Sequence, residues 1–313
     1  MPTTTQQKRR RHYEQQPLTK SMIITERDEQ ILRDVYRYRL LRSAHIRALT
    51  PGSDQVVLKR LRRLYDFDFL YRIFEPIHRR KRFELGSKPK IYALSRHGAD
   101  IVNARDDIEE RNAEIGDSFI NHVLATADAV VPIEAACRTH EYFRFVDTPE
   151  LIAQAPTKTD SPFPLRADVP YGKAKRKAGL TPDKYFALLD ESRPKGSQRR
   201  HFFCEADRGT EPNSRSTFNR QTSIVGKLIT YGEIYKQKIH QEKLNIKAFR
   251  VLIVTTSEQR IDNMLNVLKD ASEKHNFRRN IFMFTDYASI QSAENIFSLI
   301  WKNGNREKVT LLD

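Results

Sequence analysis

The chain has 313 residues, with 55 Lys and Arg against 40 Asp and Glu, a formal charge of +15 and a pI near 9.8. Mean hydropathy is -0.65, and no apolar run approaches the roughly 20 residues that a membrane helix requires; two cysteines, Cys137 and Cys204, both inside apolar segments, suit a reducing cytoplasm, the expected location. Nine scattered histidines without a His-x-His, two cysteines without a CxxC, and the lack of GxxxxGK[ST] or GxSxG argue against a tyrosine relaxase of the histidine-cluster type, a structural zinc, a P-loop ATPase and a serine hydrolase of the elbow type. The excess of basic charge points to a polyanionic partner, with nucleic acid first.

Residues 1–20 carry Lys8, Arg9, Arg10 and Arg11 among polar residues, which predicts a disordered basic arm. A first domain is expected over 21–104. Thr25-Glu-Arg-Asp28 reads as a helix cap, and Ile31, Leu32, Val35 and Tyr38 follow at helical spacing. Ser43 caps a short helix to Leu49. Pro51-Gly52 turns the chain, and Ser53 caps a third helix. Its Val57, Leu61 and Leu64 face inward, and Lys59, Arg60, Arg62 and Arg63 crowd the other side. A strand at 69–74, a loop carrying Arg79, Arg80, Lys81 and Arg82, and a returning strand at 90–94 complete a winged helix-turn-helix pattern. The basic residues of the third helix and the wing loop are the candidate contacts to double-stranded DNA, serving phosphates as readily as bases.

A charged linker is expected over 105–117, and a second domain over 118–313. Its predicted elements are a helix over 119–140 kinked or divided at Pro132, and a strand at 143–146. A loop-rich stretch over 149–177 ends in the basic cluster Lys173–Lys177. Strands follow at 184–189 and 201–206, then a long helix over 217–242. A strand at 249–255, a helix over 257–274 and strands at 280–284 and 296–301 close the chain. The fold class is therefore multidomain α/β, with a mixed central sheet in the second domain. Asp183 heads one apolar strand, and Glu205 and Asp207 end the next. Carboxylates in such runs are costly unless paired, hydrogen-bonded or metal-bound.

That order, with Pro182-Asp183 and then Glu205-x-Asp207, resembles the PD-(D/E)xK restriction-endonuclease-like superfamily. The resemblance implies that Asp183 and Glu205 hold Mg2+ or Mn2+, hard cations that take oxygen ligands. The position of the motif lysine is Asp207. Either Asp207 is a third metal ligand, or Lys227 reaches back from the following helix to help orient water or phosphate. Tyr231 lies one turn beyond Lys227 on the same face. The remaining reading is an ion pair of Asp207 with Arg208 in a domain that no longer cuts.

Thr25-Glu-Arg-Asp-Glu-Gln-Ile-Leu, Gly86-Ser-Lys-Pro-Lys-Ile-Tyr-Ala-Leu and Glu205-Ala-Asp-Arg-Gly-Thr210 together resemble the replication-relaxation family of plasmid and mobile-element proteins. This resemblance spans roughly 23–290. It implies a DNA-binding protein acting at a replication or transfer origin, alongside other origin-processing proteins, with a nuclease-like domain that nicks one strand. A non-enzymatic replication or transcription factor and a toxin or defence nuclease remain the alternatives. The oligomeric state stays open, a dimer included.

Overall fold

The computed structural model describes residues 21–73, 90–106, 108, 116–156, 161–171, 174–209 and 224–313. The chain divides into two compact units, Met1–Leu124 and Ala125–Asp313. Among the described residues no helix is long and apolar enough to cross a membrane.

In the first unit, α1 (Glu26–Tyr38) starts at a capping box. The Thr25 amide and hydroxyl both donate to the Asp28 carboxylate, at 2.8 and 2.7 Å. Its apolar stripe, Ile31, Leu32 and Val35, is fully buried. Three residues, Leu40–Arg42, then form β1, a strand too short to leave a periodic signal. Helices α2 (Ser43–Leu49) and α3 (Asp54–Asp66) precede β2 (Leu70–Ile73) and β3 (Ile91–Leu94). The three strands make an antiparallel sheet in the order β1-β3-β2. Helix α4 (Arg96–Ile101) is capped by Ser95, whose hydroxyl accepts from the Gly98 amide at 3.0 Å. A small core joins Leu40, Ile91 and Ala93 to Ile120 and Leu124 at the start of α5 (Asp117–Thr139).

Pro132 does not divide α5: one helix runs through it from Asp117 to Thr139. Proline costs a hydrogen bond inside a helix, but Val130, Val131 and Ile133 around it are buried to within 1%, and their packing holds the helix together.

The second unit is built on a seven-stranded mixed sheet in the order β12-β11-β10-β9-β8-β7-β4. Strand β4 (Phe143–Asp147), β7 (Lys184–Asp190) and β8 (Arg199–Ala206) are antiparallel neighbours. Strands β9 (Arg250–Thr255) and β10 (Phe282–Asp286) run parallel to β8. Parallel neighbours need crossovers, and these are supplied by α7 (Ile224–Lys236) and α9 (Glu258–His275). Strands β11 (Trp301–Asn303) and β12 (Lys308–Val309) close one edge. Alternate residues of the sheet, Tyr185, Phe203, Val251, Ile253 and Phe284, share one core with Leu228 and Tyr231 of α7 and Leu265 and Leu268 of α9. Strand periodicity therefore points Glu205, two residues beyond Phe203, at α7.

Three further expectations are corrected. The stretch 149–177 is not loop-rich throughout. It contains α6 (Thr148–Ile152) and most of an antiparallel hairpin, β5 (Leu165–Tyr171) with β6 (Ala174–Leu180). Its inward residues Ala167 and Ala178 are too small, and its outward ones too basic, to register as a strand. Lys175 and Lys177 of the basic cluster stand exposed on β6. The long helix expected over 217–242 breaks at Lys238, which adopts φ 59°, and restarts as α8 (Ile239–Leu244). The break buries His240, whose ring stacks on Tyr235 at 4.9 Å. The last strand pairing begins at Trp301 rather than at 296, and α10 (Tyr287–Ser292), which has no counterpart among the expected elements, follows β10.

Candidate functional site

The hairpin of β7 and β8 places the two motif carboxylates side by side. Lys184 pairs with Cys204, so the next step of the ladder sets Asp183 opposite Glu205. The Asp183 carboxylate accepts from the Ala206 amide at 2.8 Å, which fixes it across the strand end. Glu205 is 2% exposed. From α7, Lys227 Nζ donates to Glu205 Oε2 at 2.8 Å, and Tyr231 Oη donates to Glu205 Oε1 at 2.6 Å. Residues 227 and 231 are one helical turn apart, so one face of α7 serves both carboxylate oxygens.

Burial, and then the neighbouring charge of Asp183, push Glu205 up to about 7, while Lys227 and Tyr231 pull it back. Burial and the same carboxylate push the Tyr231 phenol well above its ordinary range, so it remains a proton donor. Two crowded carboxylates of which one resists ionisation form a pair that a cation would relieve.

Asp207 is spent differently. It is 6% exposed; Arg260 Nη2 donates to its Oδ1 at 2.8 Å, and Arg260 Nε and the Thr255 hydroxyl donate to Oδ2. The Asp207 amide donates to the Val254 carbonyl at 2.8 Å, extending the β8–β9 ladder. Its ion-pair partner is thus Arg260, from the first turn of α9, and not the adjacent Arg208. Among the described residues no three His, Cys, Asp or Glu converge in a way that could hold a metal. What the fold brings together is Asp183, Glu205 and Lys227.

Three groups at this sheet edge were not read from the sequence. Arg260 and Thr255 hold Asp207. Tyr287, at the start of α10, has its hydroxyl buried without a hydrogen-bond partner among the described residues. Burial raises its phenol first, and the charges of Cys204, Asp128, Asp207 and Asp183 raise it further. Asp128, on α5, therefore faces the same edge. An orphaned hydroxyl beside an acidic pair fits a site that takes a hydrated cation or a phosphate oxygen. The signal available beforehand was that parallel strands β8 and β9 end at the same edge, which aligns Asp207 with Thr255.

The basic residues of the first unit separate into two classes. Lys59 and Arg63 are exposed on α3. Arg60 instead pairs with Asp28, which is fully buried, and its Nη2 also donates to the Ile23 carbonyl at 2.7 Å. Burial opposes ionisation of Asp28, but Arg60 and Thr25 hold it below the usual carboxylate range. Arg60 ties α3 to the start of α1. Arg62 is half-buried and pairs with Asp66 at 2.8 Å, one turn along α3. Arg79, Arg80, Lys81 and Arg82 lie outside the described residues.

A family model described as Replication-relaxation matches residues 32–248, more than half of the chain. No curated protein and no solved structure matches it.

Proposed function

Because the chain belongs to the replication-relaxation family, we propose that it binds double-stranded DNA at a replication or transfer origin of a mobile element and nicks one strand. The first unit is read as a winged helix, with α3 as its DNA-facing helix and the 74–90 segment as its wing. The second is read as a PD-(D/E)xK-type nuclease domain. The observation that carries this reading is Glu205, buried beside Asp183 and held by Lys227 and Tyr231 from the following helix. Asp183 and Glu205 would hold Mg2+ or Mn2+, which binds through one or two carboxylates and keeps most of its waters. When bound, the ion supplies a Lewis acid for the scissile phosphate and an acidified water.

The protein's own groups do the positioning. Lys227, 2.8 Å from Glu205 Oε2, offsets the charge of Glu205. Tyr231 fixes the second Glu205 oxygen. Asp207, clamped by Arg260, serves as a structural tie at the end of β8. The competing reading, a replication factor that does not cut, is favoured by that tie and by the Lys227–Glu205 contact itself, which places an ammonium where a cation would bind.

Supercoiled plasmid carrying the element's own origin separates the two. Wild type should relax it with Mn2+ and not with chelator, and Glu205→Ala should lose at least about a hundredfold in rate. Plasmid that stays supercoiled, with no heat of metal binding by calorimetry, rules out nicking. For the DNA surface, Lys59→Ala with Arg63→Ala should lower the slope of log affinity against log salt by about 0.9 for each lost phosphate contact. Arg60→Ala should lower thermal stability first. An unchanged salt slope in the double variant would move the DNA surface away from α3.

A further inference from the structure

The opposite end of the β7–β8 ladder opens into a cavity of about 720 Å³, and we propose that it binds a nucleotide, with the phosphates on its basic rim and the base against its aromatic wall. The cavity starts at Arg199–His201 on β8, at Arg250 of β9 and at Phe249 just before it. Glu205 lies four residues further along β8, about 13 Å away at the usual rise of a strand. The cavity is therefore separate from the carboxylate pair and goes beyond the function proposed above.

Its size suits a small ligand: such sites run to roughly 300–1,000 Å³. Its charge suits an anion. Arg199, Arg200, Lys247, Arg250 and Arg278 line it, against a single acid, Asp313. That acid accepts from the Thr310 amide and, at 3.1 Å, from the Thr310 hydroxyl, contacts that hold it below the usual carboxylate range with help from the nearby charges of Arg250 and Arg200. At the rim Arg199 donates to the Gln154 side chain, Arg200 to the Leu312 carbonyl and Arg250 to a main-chain oxygen of Asp313, and Arg200 also lies 3.7 Å from the Asp190 carboxylate. The Gln154 amide orients Arg199 without cancelling its charge, and the five basic groups outnumber the two carboxylates, Asp190 and Asp313, that approach them, which leaves positive charge for a phosphate. Lys247 and Arg278 are exposed at the mouth.

The rest of the lining suits a base rather than a bare anion. Tyr185, Tyr235 and Phe249 supply aromatic surface, with Tyr235 half-buried. Gln198, Asn245 and Asn280 supply amides that both donate and accept, as base edges require. The groups facing His201 are consistent with a preformed anion site. Burial, and then Arg199, push His201 down to about 4, and its Nδ1 lies 3.0 Å from Tyr185 Oη, so the site's positive charge comes from the guanidinium and ammonium groups alone.

The test is a titration of the full chain with a fluorescent ATP analogue in the presence of chelator, so that metal at the carboxylate pair plays no part. Saturable binding is expected, displaced by ATP and ADP but not by adenosine. Lys247→Glu with Arg278→Glu should weaken it by about tenfold or more, with an unchanged melting curve. The proposal is overturned by any of four results. These are no saturable binding to about 1 mM, equal binding by the double variant, displacement by inorganic phosphate as effective as by ATP, or displacement by a single-stranded oligonucleotide at lower concentration than ATP. The last would make the cavity a strand-binding groove.

Discussion

The two ends of the β7–β8 ladder are opposites in charge and alike in physics. At one end Asp183 and Glu205 face each other; at the other, Arg199 and His201 stand over a cavity. Burial pushes Glu205 up to about 7 and His201 down to about 4, in each case toward the neutral form. The neighbouring like charge adds to burial at both ends: Asp183 for the acid, Arg199 for the imidazole. The difference lies in compensation. Glu205 has an ammonium and a phenol brought to it by α7, whereas His201 has, among the described residues, the uncharged Tyr185 hydroxyl. A group that keeps part of its charge through placed partners is poised for proton or cation chemistry. One that has simply been neutralised is part of a wall.

The acid end also contains its own control, because Asp207 sits two residues from Glu205 and is fully committed. Removing its partner should produce the largest effect on stability. Arg260→Ala leaves a carboxylate at 6% exposure without its guanidinium, and breaking such a pair costs about 3–5 kcal/mol. Urea unfolding measures this directly. A loss below about 1 kcal/mol would mean that Asp207 is not a structural tie and is available to a metal after all.

A smaller effect sharpens the comparison of the two ends. Glu205 is raised above its unfolded value of 4.5, so folding takes up a proton between that pH and about 7. The stability it contributes is fully present below pH 4.5 and is lost as pH rises through 7. Relative to Glu205→Gln, wild type should therefore lose about 1–3 kcal/mol between pH 5 and pH 8. His201 is depressed from 6.5, so its contribution is present above pH 6.5 and lost as pH falls toward 4. Relative to His201→Gln, wild type should lose stability on the acid side only. Unfolding midpoints at pH 5, 6.5 and 8 test both. Curves for wild type and Glu205→Gln that run parallel would show that Lys227 and Tyr231 cancel the burial of Glu205 completely.

Much of this architecture was legible in the chain itself. The Thr25–Asp28 cap, the apolar stripes of α1 and α3, and the continuous apolar run of β9 are local patterns, and each reports the burial of its own element. Asp183 and Glu205 were legible for the same reason, as charges where a buried strand should carry none. The α7 face that meets them could be read too, because Lys227 and Tyr231 are one turn apart. Partners far along the chain were not legible. Nothing local tells Arg60, which reaches across 32 residues to Asp28, from Arg63, which faces solvent. Nothing around Asp207 announces Arg260, 53 residues on. The hairpin over 165–180 was hidden because alanines and basic residues carry little hydrophobic signal, and the basic cavity because its walls come from strand starts and loops distant in sequence. Periodicity records which side of an element is buried, and that much the sequence determines alone. Which charge meets which other charge depends on parallel strand order and helix crossovers, and that only the tertiary structure decided.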